Sequence, residues 1–241
     1  DRLDLIEIDV EKDDSVKNAA EEVSQKFGEA SQPLYAILNN AGIGSPQQSF
    51  NKIFQVNTYG PKRVCDAFIP LLNSSKGRVV NVTSASGPIF LASSSKKVKE
   101  ILTNQEVTWA QIENFLLDYL KSNLESEQNS TKSFPTNLAY GISKACTNAY
   151  TIFLAREYPN LTINACTPGF IETDLTRPIA AANKKNPSEL GMKSPEEGTT
   201  ANIFLLMDNP GCSGQYFGSD CLRSPFDKYR APGDPPYTGQ N

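Results

Sequence analysis

The chain of 241 residues contains no histidine. That absence excludes mechanisms that depend on an imidazole base, and with them the Ser-His-Asp hydrolases and every histidine-ligated metal site. If the chain is an enzyme, its proton transfers must use tyrosine, lysine, cysteine or a carboxylate.

Cysteine is scarce as well. The five cysteines are scattered and form no Cys-x-x-Cys pair: Cys65, Cys146, Cys166, Cys212 and Cys221. This pattern predicts neither a disulfide framework nor a zinc site, so we expect no metal and reduced, mostly buried thiols. Cys212 and Cys221 are close enough in sequence to form a disulfide bond with each other, and this alternative stays open.

Long apolar runs and an excess of positive charge are also missing. No run approaches the roughly 18 residues that a membrane span needs. The net charge of -4 provides no basic surface for nucleic acid. A hydrophobic fraction of 39% and a charged fraction of 21% are typical of a globular domain. We expect one domain over 1–241 and, from the acidic and strand-like start, a cytoplasmic protein.

Apolar patterning predicts strands that alternate with helices. Short apolar or alternating runs predict strands at Leu3–Val10, 34–38, 78–83, 161–166 and 214–218. Apolar residues at helical spacing predict helices over 13–27, 50–72, 138–158 and 195–207. Residues 170–193 read as a polar loop or lid, and the residues after 218 as a tail without periodicity. Together these elements predict an α/β fold, a Rossmann-type doubly wound parallel sheet with helices on both faces.

A segment of about fifty residues interrupts this alternation between Gly87 and Leu138, too long for a plain connection. Within it, Thr108 and Gln111 resemble a capping box, and an apolar stripe begins at Trp109. We therefore predict an inserted amphipathic helix within about 88–136. It either only packs on the domain, or also covers the active site or a surface that would otherwise dimerise.

Tyr140 and Lys144 lie four residues apart in a predicted helix, so both project from one face. A phenol with a pKa near 10 is a poor acid or base at neutral pH. An ammonium about 4 Å away is worth roughly 4 kcal/mol at an effective dielectric of 20, enough to bring the pKa into the catalytic range. In a chain with 9 tyrosines this spacing arises easily by chance. On spacing alone an exposed helical pair is the better interpretation.

Other features follow predicted strands, and the carboxyl ends of parallel strands share one edge of a sheet. Asn40-Ala41-Gly42 follows one strand, Ser84 the next, and Pro168-Gly169 another. Small residues at such a turn let the backbone approach a ligand, although each could be an ordinary turn. Asn57 lies within a predicted helix, where an amide is a modestly poor helix former. The alternative is that Asn57 lies on a solvated face of that helix.

The order and rough spacing of these motifs resemble the short-chain dehydrogenase/reductase family along nearly the whole chain. The matching features are Asn40-Ala41-Gly42, Asn57, Ser84, Tyr140-x-x-x-Lys144 and Pro168-Gly169, and Asp9-Val10 looks like that family's adenine-contacting pair. The long insertion, Phe134-Pro135 and Lys193–Gly198 resemble its carbonyl-reductase branch.

The resemblance implies a mechanism. Tyr140 would exchange a proton with the carbonyl or alcohol oxygen, and Ser84 would polarise that oxygen. Lys144 would bind the nicotinamide ribose and lower the pKa of Tyr140, while Asn57 would hold a relay water. The cofactor would be NADP(H) rather than NAD(H), and the substrate a small ketone, aldehyde or alcohol.

The resemblance also implies contacts to the nicotinamide from the segment 168–173, in particular from Pro168, Gly169, Ile171 and Thr173. The inserted helix implies a monomer, if it blocks the helix pair through which such proteins usually associate.

The chain departs from the family at its start. The family's first strand, its Gly-rich turn and the following helix do not precede Asp9, where only eight residues stand, and a βαβ unit needs roughly 30. We therefore expect an incomplete domain that lacks the phosphate-binding turn. Two alternatives stay open at this point: a genuine short form acting as a non-catalytic binding or scaffold protein, and an epimerase or dehydratase with the same Tyr–Lys pair.

A binding measurement tests this expectation. The 241-residue chain should bind NADPH weakly or not at all in calorimetry, because no helix N-terminus preceded by a Gly-rich turn is available for the pyrophosphate. Fusing an upstream βαβ unit should restore binding. Tight NADPH binding by the chain alone would contradict the expectation.

Overall fold

The computed structural model describes residues 3–28, 32–44, 48–129, 136–208 and 210–239. For residues 123–129, 136 and 137 it describes the backbone only. The strands are β1 (Ala36–Asn39), β2 (Arg78–Val82), β3 (Thr162–Cys166), β4 (Gln215–Phe217) and β5 (Arg223–Ser224). The α-helices are α1 (Asp13–Phe27), α2 (Phe50–Phe54), α3 (Gly60–Phe68), α4 (Ser86–Ser93), α5 (Lys96–Leu102), α6 (Trp109–Asn129), α7 (Thr136–Glu157), α8 (Arg177–Asn183), α9 (Pro195–Gly198) and α10 (Thr200–Met207). A π-helix covers Gln55–Tyr59, and 3₁₀ turns cover Ile69–Leu71 and Pro187–Leu190.

The sheet has the order β1-β2-β3-β4-β5. The first three pairings are parallel, and β5 is antiparallel to β4. Alternate residues of a strand face opposite sides. Val79 accordingly joins the large core under α7, and Val80 joins a smaller core with Leu205 of α10. The predicted parallel sheet with helices on both faces is therefore confirmed.

The predicted helix over 50–72 is confirmed as a nearly continuous run with one irregularity. Residues Gln55–Tyr59 form a π-helical turn between α2 and α3. A π turn adds one residue to the helical repeat and is often found at functional sites. It shifts the helical face at the position where Asn57 lies, with only 1% of that residue exposed. The alternative of a solvated Asn57 is therefore wrong.

Two predictions about local structure are wrong. Leu3–Val10 is not a strand: residues 3–9 have no regular structure, and Leu3 and Leu5 are 80% and 86% exposed. Its alternating pattern alone is insufficient, because an isolated strand leaves its backbone groups without a partner. The polar segment 170–193 is not a plain loop either, since it contains α8 and a 3₁₀ turn. Likewise the tail after 218 includes β5.

The insertion contains helices α5 and α6, as well as most of α4. The predicted capping box at the start of α6 is present, because the Gln111 backbone N–H donates to the Thr108 hydroxyl at 3.3 Å and Thr108 N–H donates to Gln111 Oε1 at 2.9 Å. Trp109 packs edge-on against Tyr59 and Tyr150, with ring centroids 5.4 and 5.6 Å apart. Phe134 and Pro135 lie outside the described residues.

The described contacts of α6 favour packing on helices over covering the active site. Ile112 and Leu116 are fully buried in the large core with residues of α7, and Tyr119 stacks on Phe50 of α2. The stripe predicted from Trp109 onward thus covers the pair formed by α2 and α7.

Neighbouring leucines on α6 test this packing. Leu116 is 0% exposed and Leu117 is 42% exposed. Leu116→Ala should lower the free energy of unfolding by about 2–5 kcal/mol, because it leaves a cavity in the core. Leu117→Ala, measured in the same urea titration, should change it by less than about 0.5 kcal/mol. Equal effects would mean that α6 does not pack as described.

Candidate active site

The carboxyl ends of β1, β2 and β3 meet at one edge of the sheet. Their parallel register pairs Asn39 with Asn81 and Val82 with Cys166. The turns that follow therefore bring together three predicted segments: Asn40-Ala41-Gly42, Ser84 and Pro168-Gly169. Asn40, Ala41 and Gly42 are exposed, so their backbone is accessible from this edge.

The Asn57 side chain joins two of these segments. Its Oδ1 accepts a hydrogen bond from the Ile43 N–H at 2.9 Å, and its Nδ2 donates to the Ile43 carbonyl at 2.8 Å. The same Nδ2 donates to the Ser143 hydroxyl at 3.0 Å. Asn57 therefore holds the turn after β1 against α7, one residue before Lys144.

The backbone of the π turn is bonded to α7 too. The Thr147 hydroxyl donates to the Asn57 carbonyl at 2.7 Å, and the Thr58 hydroxyl donates to the Ser143 carbonyl at 3.1 Å. The carbonyl of Asn57 thus has a protein partner. In the described structure Asn57 positions neighbouring segments. This role differs from the one that the resemblance implied, which was to hold a relay water.

Lys144 is buried directly behind Gly42. Its Nζ donates to the Val82 carbonyl at 2.9 Å and lies 5.6 Å from the centre of the Tyr140 ring. A Cβ on Gly42 would lie 3.5 Å from this Nζ. An ammonium has three donors, and among the described residues one of them has an acceptor, so two are available to a ligand at Gly42.

Burial determines the protonation of the Tyr–Lys pair. It lowers the pKa of Lys144 from 10.5 to about 8, because a buried ammonium loses its hydration. Burial raises the pKa of Tyr140, and a hydrogen bond with Ser84 acts in the opposite direction. Burial and Ser84 are the influences that act on the pKa of Tyr140 here, and the lowering of this pKa by Lys144 that the resemblance implies stays a prediction.

Ser84 and Tyr140 are thus brought together, and Gly44 lies against the ring of Tyr140. A Cβ on Gly44 would lie 2.9 Å from Cδ2 of Tyr140, so a side chain there would displace the ring. The sequence analysis missed Gly44, Ser143 and Thr147. The motif Gly42-x-Gly44 was the available signal for Gly44. Ser143 and Thr147 lie in a helix of ordinary composition, which gives no signal for either residue.

The segment 168–173 forms the adjoining wall of the site. Gly169 has φ of +96°, a backbone conformation that favours glycine. Ile171 is 7% exposed, and its side chain packs against Gly198, so that only its backbone could face a ligand. The Thr173 N–H donates to the Thr176 hydroxyl at 3.0 Å, at the turn before α8.

Asp9 and Val10 precede α1, and Val10 contacts α3. The Val10 carbonyl accepts a hydrogen bond from Arg63 at 3.1 Å, and a Cβ on Gly60 would lie 3.0 Å from Val10. The hydrogen bond from Lys12, then that from the Glu11 N–H, lowers the pKa of Asp9. No described contact joins this pair to Lys144.

A cleft of about 350 Å³ opens beside Ser84. Ser84, Ser86 and Ile89 form one side, Gly169, Phe170 and Lys193 another, and the C-terminal residues Ser219, Ser224, Tyr229, Arg230 and Pro232 a third. The cleft therefore borders the hydroxyl that touches Tyr140, and it combines polar with apolar walls as small-molecule sites do.

Metal clusters and membrane-spanning helices are both absent from the described residues. In the part of the chain that the structure describes, no group of three or more cysteine, aspartate or glutamate side chains could hold a metal ion. Within the same ranges, no helix combines the length and apolar character that crossing a membrane requires. The five cysteines are free thiols, including Cys212 and Cys221.

Comparisons with known proteins agree with this geometry. A family model described as short chain dehydrogenase matches residues 1–96. The (+)-neomenthol dehydrogenase of Arabidopsis thaliana is 32% identical over 232 residues, 83% of this chain and 72% of that protein. Carbonyl reductase (NADPH) 1 of Rattus norvegicus is 24% identical, over 87% of this chain and 74% of that protein. The structure of salutaridine reductase from Papaver somniferum superimposes with a TM-score of 0.67 at 25% identity, over 87% and 80% of the two chains.

The chain belongs to the short-chain dehydrogenase/reductase family, whose members are oxidoreductases. Within that family it has carbonyl-reductase-like relatives, as the insertion between Ser84 and Tyr140 predicted.

The buried Lys144 ammonium makes a prediction about stability and pH. Between about pH 8 and 10.5 the unfolded chain binds this proton and the folded chain does not, so wild-type stability gains from rising pH. The free energy of unfolding of Lys144→Met should therefore exceed that of the wild type by the largest amount below pH 8. This difference should shrink as the pH rises toward 10.5.

Denaturant titrations of wild type and variant across pH 6–11 measure this difference. Taking the difference removes the contribution of the other titrating groups. Lys97→Met is the matched control, because Lys97 is exposed to water in the folded chain. A wild-type-to-Lys144→Met difference that does not vary with pH would show that the ammonium is not buried.

Proposed function

We propose that this chain carries the catalytic residues of an NADPH-dependent carbonyl reductase that reduces a small ketone or aldehyde. The observation that supports it best is the position of Ser84 beside Tyr140 at the border of the cleft, where the Ser84 hydroxyl acts to lower the pKa of this tyrosine. Two hydroxyls at one point can hydrogen-bond a single carbonyl oxygen, which stabilises negative charge as it develops there.

Tyr140 would supply the proton and Ser84 would polarise the carbonyl. The raised pKa of Tyr140 favours this direction of the reaction, since it keeps the phenol protonated at neutral pH. Proton transfer from a positioned group typically contributes 10²–10⁴-fold to a rate. Asn57 would act on the reaction indirectly, by holding Ile43 and Ser143 on either side of the site.

The residues present fit a nicotinamide ribose at the Gly42 turn. Gly42 leaves open the space that a side chain would fill, and the Lys144 ammonium beside it has an acceptor for one of its three donors among the described residues. Asn40, Ala41, Pro168, Gly169, Ile171 and Thr173 would complete the contacts, with Asp9 and Val10 on the adenine side. When bound, the reduced nicotinamide supplies the hydride.

The preference for NADP(H) over NAD(H) is supported by relatives, since the rat carbonyl reductase has NADPH in its name. The substrate class is supported in the same way, by relatives named for acting on neomenthol and salutaridine. We further propose a single domain and a cytoplasmic location. We also propose a monomer, because α6 already covers α2 and α7.

Replacing the proton donor tests the proposal. Tyr140→Phe, made in the chain extended to bind NADPH, should reduce kcat for benzaldehyde or menthone by at least about 100-fold. NADPH affinity should change by less than about twofold, because Phe retains the ring that packs at Gly44.

Tyr158→Phe is the matched control, since Tyr158 follows the same helix and is 39% exposed. It should leave both quantities unchanged. Full activity in Tyr140→Phe would remove Tyr140 from this role, and no carbonyl reduction by the wild type would refute the proposed function.

A further inference from the structure

The C-terminal residues 219–234, here called the C-terminal wall, line part of the cleft that Ser84 also lines. The residues Ser219, Ser224, Tyr229, Arg230 and Pro232 all line it. The wall contains little regular structure, only the two residues of β5. A segment of this kind needs tertiary contacts to hold a fixed shape.

Arg230 provides most of those contacts. Its side chain is 6% exposed. It donates to the Ser224 hydroxyl at 3.0 Å, to the Ala231 carbonyl at 3.2 Å and to the Asp234 carbonyl at 2.7 Å. It also forms an ion pair with Asp220.

Asp220 completes the arrangement from the other end. Its carboxylate accepts from the Gly233 N–H at 3.1 Å and from the Leu222 N–H at 3.3 Å. Glycine is required at position 218, because a Cβ there would lie 2.6 Å from Asp220 Oδ1 and 2.7 Å from Arg230. The ion pair thus closes a loop between residues 220 and 233.

Arg230 lines the cleft and yet is not available as a cation for substrate. Four of its five N–H donors are used by Asp220, Ser224, Ala231 and Asp234. Its charge is neutralised by Asp220 within the wall. Its effect on a substrate must therefore be indirect, through the position of neighbours such as Tyr229.

We propose that Asp220 and Arg230 are positioning residues that hold the C-terminal wall against the cleft and thereby set the affinity for bulky carbonyl substrates. This inference rests on the proposed function. A compact aldehyde at Ser84 leaves much of the 350 Å³ cleft empty, whereas a larger cyclic ketone reaches the C-terminal wall. Loosening the wall should affect the second substrate and spare the first.

The test, made in the chain extended to bind NADPH, compares menthone with benzaldehyde in Asp220→Asn, which keeps the side-chain size and removes the charge. The KM for menthone should rise about tenfold, the ratio expected when a small apolar contact is lost from a pocket. Both kinetic constants for benzaldehyde should stay within about twofold. Arg230→Lys keeps the charge but has all its donors on one nitrogen. It should raise the KM for menthone by less than Asp220→Asn does.

Arg156→Gln is the matched control. Arg156 also donates to two backbone carbonyls, those of Gln105 and Val107, and pairs with Glu106, but it lies outside the C-terminal wall and does not line the cleft. It should leave the KM for menthone unchanged.

Two measurements do not require turnover. In Asp220→Asn, trypsin should cleave after the exposed Lys228 about tenfold faster than in the wild type, because cleavage follows the local opening of the segment. Calorimetry should show weaker menthone binding. If the wild type binds menthone without reducing it, the proposed function fails and these two measurements still decide the role of the ion pair.

An unchanged menthone KM in Asp220→Asn would overturn the inference. So would an equal loss for both carbonyls, which indicates a general loss of folded protein. Failure of both Asp220→Asn and Arg230→Lys to fold, or absence of menthone binding by the wild type, would overturn it as well.

Discussion

The candidate site depends above all on the hydrogen bonds of one buried amide. Asn57 is bonded to both backbone groups of Ile43 and to the Ser143 hydroxyl. A buried amide without partners is costly, so these bonds determine the spacing between the turn after β1 and helix α7. Lys144 and Gly42 face each other because of that spacing, and the π turn is what directs Asn57 inward.

Burial then gives the paired groups complementary properties. The same loss of hydration raises the pKa of Tyr140 and lowers that of Lys144, because it disfavours the charged form of each. The result is a protonated phenol next to Ser84 and a lysine that titrates close to neutral pH. Such a pair suits proton donation to a carbonyl oxygen better than proton abstraction from an alcohol.

Two parts of the structure are held by different kinds of contact. The sheet edge and α7 hold Ser84, Tyr140 and Lys144 through buried contacts, which leave little freedom for change. The outer cleft is built from the segment 170–193 and the C-terminal wall, where an ion pair and turns replace regular packing. Segments of this second kind can vary in sequence while the chemistry is retained.

Local patterns in the sequence were enough for most of the fold. β2 and α7 were predicted within about two residues, because apolar periodicity and flanking glycine or proline are local signals. The joint order of Gly42, Ser84, Tyr140 and Lys144 likewise predicted which residues meet at the sheet edge. Leu3–Val10 shows the limit of such reasoning, since an alternating pattern does not provide a neighbouring strand.

The sequence by itself determined the parallel sheet, the family and the candidate residues Ser84, Tyr140 and Lys144. Only the tertiary structure decided that Asn57 positions Ile43 and Ser143, that burial shifts the pKa values of Tyr140 and Lys144, and that Arg230 pairs with Asp220. The physical reason is that periodicity is a property of neighbours along the chain. Burial and hydrogen-bond partners depend instead on residues far apart in sequence, such as Asn57 and Ser143.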